Sequence, residues 1–163
     1  RETRGEFRSL GFEDQLQIIQ EDLRSHFWHE QARVICNSYG SYLFLHAQSN
    51  MTPFPGRVLM LSPIVGAFTS DETSTTFSPP RPTRLKELAE TGQFPAPTRS
   101  EIHVGSEDWQ SIPDNVTAFA TLVNAQVSVV EGAGHRHFKA PGLTILPAGR
   151  LQVVGSRGQR IRR

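Results

Sequence analysis

The sequence predicts an α/β domain of three layers, α/β/α, in which helices cover both faces of a mainly parallel β-sheet. Short apolar runs typical of buried parallel strands alternate with segments of helical periodicity. Such alternation indicates βαβ units, whose crossovers are right-handed. Neither an internal repeat nor a second domain is evident, so residues 1–163 are interpreted as a single domain.

The composition excludes several classes of protein. The chain has 163 residues, of which 37% are hydrophobic and 20% charged, as in folded globular proteins. A net charge of +1 gives no general attraction for nucleic acid. No apolar run approaches the roughly 20 residues of a membrane span. The single cysteine, Cys36, excludes an intrachain disulfide and agrees with a cytoplasmic location. Basic residues gather in 156–163, which is interpreted as a solvated tail.

The individual elements follow from local patterns. Helices are predicted over 12–27, about 39–48, about 84–91 and from Pro113 onward. Strands are predicted over 33–36, 58–61, 102–104 and 127–130. The segment 66–83, rich in Ser, Thr and Pro, is expected to be a polar loop. Residues 143–154 are expected to form a last helix or an irregular return.

One turn carries the strongest chemical signal. Residues 34–41 read Val-Ile-Cys-Asn-Ser-Tyr-Gly-Ser, which places Ser38 between a buried strand and a buried helix. Small residues, Cys36 and Gly40, flank it, as expected where strand and helix backbones pass close together. This turn resembles the nucleophile elbow of α/β-hydrolases, G-x-S-x-G, with Cys36 in place of the first glycine. The alternative is that Ser38 caps an ordinary helix.

Two later segments resemble motifs of the same family. The strand at 102–104 is followed by Gly105-Ser106-Glu107-Asp108 and then Pro113, similar to the acid motif after the family's seventh strand. The strand at 127–130 is followed by Gly132-Ala133-Gly134-His135, similar to the G-x-G-H loop that delivers the base. Glu107 and Asp114 are substitutes for the acid, and His137 is a substitute for the base. His26, His29, His46 and His103 are interpreted as structural.

The resemblance implies a role for each of these residues. Ser38 would be the nucleophile, His135 the base and Asp108 the acid that orients it, while the Tyr39 N–H would be one oxyanion-hole donor. The order Ser, Asp, His is that of α/β-hydrolases, and each residue follows the end of a predicted strand. We expect a serine hydrolase that cleaves an ester, thioester or related acyl bond of a small substrate, with no metal or organic cofactor. Phe68, Phe77 and Trp109 are candidates for the acyl pocket.

The resemblance covers residues 4–137 and so corresponds to the C-terminal part of the α/β-hydrolase fold. No segment before Ser38 resembles the loop that supplies a second oxyanion donor. The chain is therefore expected to be a piece of a longer protein, with a preceding segment or a partner covering the edge of the strand at 33–37. The alternative function is an inactive α/β-hydrolase-like binding module. A nucleotide-binding domain is disfavoured because no Gly-rich fingerprint follows a first strand.

Overall fold

The computed structural model describes residues 4–70, 74–135 and 152–153. The helices are α1 (Arg4–Ser9), α2 (Phe12–Asp22), α3 (Tyr39–Gln48), α4 (Arg84–Glu90) and α5 (Pro113–Leu122). The strands are β1 (Arg33–Asn37), β2 (Arg57–Leu61), β3 (Phe68–Ser70), β4 (Thr75–Phe77), β5 (Arg99–Gly105), β6 (Gln126–Val130) and β7 (Gln152–Val153). A π-helical turn, Leu23–Phe27, continues α2, so the predicted helix over 12–27 changes its winding in its last turn.

The main sheet has the strand order β6-β5-β2-β1-β7. Its first four strands are parallel, and β7 pairs antiparallel with β1. The α/β class and the mainly parallel sheet predicted from the sequence are confirmed, and helices flank the sheet. Because β1, β2, β5 and β6 follow one another in one direction across the sheet, right-handed crossovers place α3, α4 and α5 on the same face.

Strand β7 covers part of the edge of β1. Val34 pairs with Val153, and Ile35 pairs with Gln152. A later part of the chain therefore pairs with these two positions, and a preceding segment or a partner along the rest of the edge stays a prediction. The rest of the predicted return over 143–154 and the basic tail at 156–163 lie outside the described residues.

Apolar side chains explain why the helices pack where they do. In α2, Leu16 and Ile19 are buried three residues apart, and the helix packs on α3. In α3, every residue from Ser41 to Gln48 is buried, as its apolar sequence predicts. Gly92 adopts a φ of +66° just after α4, a conformation that glycine tolerates best, and so ends that helix.

The segment predicted as a polar loop contains a small hairpin. Strands β3 and β4 pair antiparallel, with Phe68 opposite Phe77, and their rings stack with centroids 4.9 Å apart. Each strand has only three residues, too few for an alternating pattern to stand out among the surrounding Ser, Thr and Pro.

A glycine controls how the end of β5 meets the loop that follows β6. A Cβ atom at Gly105 would overlap the backbone carbonyl of Ala133, so only glycine fits there. At Gly40, by contrast, a Cβ atom would meet no atom of the described residues within 4 Å. The close backbone approach expected from the sequence at Gly40 is therefore not found in the part of the chain that the structure describes.

These two glycines provide a matched test of the packing. Gly105→Ala should lower the free energy of unfolding by about 1–3 kcal/mol or more, since backbone must move to accept the methyl group. Gly40→Ala should leave stability unchanged or raise it by up to about 1 kcal/mol, because alanine favours the helix. Urea unfolding of both variants measures the difference. Equal stabilities would contradict the tight contact at Gly105.

Candidate active site

Ser38 lies in a strained turn between β1 and α3. Its backbone has φ +51° and ψ −123°, a region that residues other than glycine rarely adopt. The Ser38 N–H donates to the carbonyl of Leu61 at the end of β2 (3.0 Å). The Ser38 carbonyl in turn accepts from the Ser41 N–H (3.0 Å). These bonds hold the turn from both sides, and the residue remains partly exposed.

The imidazole of His135 lies directly against this serine. Its Nε2 is 2.7 Å from the Ser38 Oγ, although 97 residues separate the two in sequence. On the other side of the ring, Nδ1 is 2.9 Å from Oδ1 and 3.0 Å from Oδ2 of Asp108. Because Nδ1 faces a carboxylate, it carries the ring proton, and Nε2 is left to accept from the serine hydroxyl.

Asp108 is buried as an ion that the protein stabilises. Its side chain is fully buried, and its Oδ1 also accepts the backbone N–H groups of Gln110 (3.0 Å) and Ser111 (2.8 Å). Burial raises the pKa of this carboxyl, but the hydrogen bonds from His135 and from the Ser111 N–H outweigh it. The net result is a pKa below the ordinary value, so Asp108 is ionised at neutral pH.

The loops that carry the acid and the histidine are joined by their backbones. The Ser106 N–H donates to Val130, and the Glu107 N–H donates to Ala133. The hydroxyl of Ser106 accepts the N–H of Gly132, whose φ of +68° bends the histidine loop back. The contact at Gly105 described above belongs to the same junction.

Ser111 is a member of the cluster that the sequence motifs did not indicate. It is buried, its hydroxyl donates to the Ser62 carbonyl (2.5 Å), and its Oγ is 3.4 Å from the His135 Nδ1. An aspartate at the start of a turn commonly accepts the backbone N–H groups two or three residues later, so the position of Asp108 was a signal for the Ser111 N–H contact. No sequence signal pointed to Ser62, because it comes from the loop after β2, 49 residues away.

Tyr39, the predicted oxyanion-hole donor, is the first residue of α3. The first N–H groups of a helix have no acceptor within the helix. The Tyr39 N–H, at the positive end of the α3 dipole, is therefore able to donate to a negatively charged oxygen. The Tyr39 ring stacks on Tyr42 at 5.7 Å between centroids.

The other candidates lie outside this cluster. Glu107 and Asp114, the substitutes for the acid, are exposed, and His137 lies outside the described residues. His46 is buried against Tyr42, and burial together with nearby arginines lowers its pKa to about 4. This environment agrees with the structural interpretation. Cys36 is buried, and burial raises the pKa of its thiol, so it is held in the unreactive protonated form.

Neither a metal site nor a membrane span is found in the described part of the chain. Residues 4–70, 74–135 and 152–153 contain no group of three or more His, Cys, Asp or Glu side chains arranged to hold an ion. Within the same ranges, no helix has the length and apolar character needed to cross a bilayer.

An aromatic cluster borders the serine and the acid. Phe68 packs edge-on against Trp109 (5.7 Å) as well as on Phe77, and Phe77 packs edge-on against Tyr39 (6.2 Å). Tyr39 follows Ser38, and Trp109 follows Asp108. Phe77 and Trp109 remain 40% and 48% exposed, so the cluster presents apolar surface beside the site.

Comparison with solved structures identifies the fold. A CIB-like hydrolase from Thermoplasma acidophilum superposes with a TM-score of 0.50 at 12% sequence identity, over 77% of this chain and 51% of that one. The fold is that of the α/β-hydrolases. The chain spans about half the length of the Thermoplasma protein. At this identity the likeness concerns the fold alone.

Weaker similarities were also found. A hydrolase from Agrobacterium vitis S4 gives a TM-score of 0.46 at 16% identity, covering 80% of this chain and 63% of that one. A puromycin hydrolase gives 0.43 at 17% identity, covering 63% of this chain and 18% of that one. No family model and no curated protein matches the sequence.

The lowered pKa of Asp108 predicts a pH-dependent contribution to stability. A lowered folded-state pKa stabilises the native state above the ordinary aspartate pKa of 3.8, and this stabilisation is lost as the pH falls through the folded value. At pH 7, Asp108→Asn should therefore lower the free energy of unfolding by about 1–3 kcal/mol. The difference in this free energy between variant and wild type should shrink as the pH falls toward about 2. Urea unfolding across this range measures it, with the exposed Glu107→Gln as control. A difference that is constant with pH would contradict the ionised, hydrogen-bonded carboxylate.

Proposed function

We propose that the protein is a serine hydrolase that cleaves an ester, thioester or related acyl bond of a small substrate through an acyl-enzyme. The observation that carries the proposal is the 2.7 Å contact between the Ser38 hydroxyl and the His135 Nε2, made at a residue with a strained positive φ. Strain of this kind costs on the order of 1–3 kcal/mol and clusters at functional sites. A serine that only capped a helix would not need it.

Each group has a defined task in the proposed reaction. Ser38 Oγ attacks the carbonyl carbon of the substrate while His135 Nε2 takes the hydroxyl proton. Asp108, held ionised by its hydrogen bonds, stabilises the imidazolium that forms and keeps the ring oriented. The Tyr39 N–H donates to the oxygen that becomes negative in the tetrahedral intermediate.

Collapse of that intermediate completes the first half-reaction. The carbonyl reforms, the bond to the alcohol or thiol breaks, and the leaving group receives the proton from Nε2. Water then attacks the ester on Ser38, giving its proton to Nε2. A second tetrahedral intermediate releases the carboxylic acid, and Ser38 Oγ recovers the proton. Ser111, whose backbone N–H holds Asp108, acts as a positioning residue.

The aromatic cluster supports an apolar acyl group as the part of the substrate that is recognised. Phe68, Phe77 and Trp109 form a ring surface beside the serine and the acid. Burial of exposed aromatic surface by an alkyl or aryl chain is favourable in proportion to the area covered. We therefore assign this surface to the acyl chain of the substrate.

A fluorophosphonate probe with an alkyl chain tests the proposal, since it reacts with activated serines. The folded wild-type protein should form one covalent adduct, located on Ser38 by peptide mass spectrometry. Ser38→Ala should abolish the adduct, and His135→Ala should slow labelling by about 10²–10⁴-fold, because the general base is lost. Ser128→Ala, which removes an exposed hydroxyl from β6, should label like wild type.

Two results would contradict the proposal. One is an adduct of undiminished yield in the Ser38→Ala variant. The other is a complete lack of labelling in wild-type protein shown to be folded by circular dichroism, which would favour a non-catalytic binding module.

A further inference from the structure

Three arginines occupy matching positions at the amino-terminal edge of the sheet. Arg33, Arg57 and Arg99 are the first residues of β1, β2 and β5. Arg33 pairs with Arg57, and Arg57 pairs with Arg99 in the parallel register. Residues in register on neighbouring strands point to the same face, and the strands are about 4.8 Å apart. The three side chains therefore form one row, the arginine row, which spans roughly 10 Å.

The row lines a common space. All three arginines border a cavity of about 440 Å³, which is also lined by the polar side chains of Gln31 and Thr98. The same arginines border a neighbouring cavity of about 540 Å³ that extends along the sheet face. All three are exposed, so their guanidinium groups are accessible from solvent.

The charge of the row is not balanced by the described residues. No carboxylate in residues 4–70, 74–135 or 152–153 forms an ion pair with any of the three arginines. Glu30 is the acidic residue that lines the 440 Å³ cavity. Glu101, two residues after Arg99 on β5, is bound to the His103 ring (2.6 Å). Like charges directly opposite each other destabilise a sheet, so this arrangement favours an external anion.

We propose that the arginine row binds a ligand that carries two or more phosphate groups. Guanidinium groups match phosphate oxygens in bidentate geometry, and a chain of phosphates supplies several negative charges along the row. A single phosphate or carboxylate would leave part of the row unneutralised. A volume of 440 Å³ is in the range of small-ligand sites.

This site is separate from the candidate active site. Arg33 begins β1, and Ser38 follows its last residue, so a rise of about 3.3 Å per residue places them roughly 16 Å apart at opposite edges of the sheet. The proposal therefore does not depend on the hydrolase activity.

Titration calorimetry with sodium tripolyphosphate and the 163-residue chain tests the proposal. The wild-type protein should bind tripolyphosphate at least tenfold more tightly than orthophosphate. Its affinity for tripolyphosphate should fall as salt is added. Arg57→Ala, at the centre of the row, should weaken binding at least tenfold. Arg57→Lys keeps the charge but loses the planar guanidinium that binds phosphate in bidentate geometry. This variant should bind tripolyphosphate with intermediate affinity.

Arg8→Ala is the matched control, because it removes the same charge from an exposed position in α1. It should bind like wild type, and circular dichroism should show all variants folded. The proposal would be overturned by a lack of tripolyphosphate binding at millimolar concentration. Equal affinity for orthophosphate, or equal losses in Arg57→Ala and Arg8→Ala, would overturn it as well.

Discussion

The line of hydrogen bonds from Asp108 through His135 to Ser38 depends on three parallel strands ending at one edge of the sheet. Ser38 follows β1, Asp108 follows β5 and His135 follows β6, although 97 residues separate the serine from the histidine. Parallel pairing places these strand ends at the same edge of the sheet, with β2 between β1 and β5. Fine positioning then comes from the tight junction at Gly105, where the absence of a Cβ atom lets the histidine loop come close enough for its backbone to bond the acid loop.

The energetic cost of this arrangement is concentrated at two residues. Ser38 holds a backbone conformation that most residues avoid, and Asp108 holds a buried negative charge. Both are fixed by neighbouring backbone groups: the Leu61 carbonyl at Ser38, and the N–H groups of Gln110 and Ser111 at Asp108. Such bonds come from the fold itself, so the proposed reaction would need little rearrangement of these two residues.

The sequence was most informative where a signal was long or chemically specific. The apolar stripe of α2 and the all-round apolar α3 predicted these helices, and the glycines before His135 indicated a loop able to bend back. Shorter or non-local features gave no such signal: the three-residue strands of the hairpin and the return of 152–153 to β1. The Ser111–Ser62 bond joins loops far apart in the chain, and no local pattern encodes a contact of that kind. At Gly40 the small residue fits the predicted motif, but no described residue crowds the position of a Cβ atom there.

The most direct measurement of the central hydrogen-bonded line is the proton NMR signal of the His135 Nδ1–H. A proton shared between an imidazole and a buried carboxylate exchanges slowly and resonates strongly downfield, since both partners withdraw electron density from it. Wild-type protein should show one such signal, which disappears in Asp108→Asn and persists in His103→Gln, where a histidine near an exposed glutamate is removed. Absence of the signal in the folded wild type, or its persistence in Asp108→Asn, would contradict the arrangement.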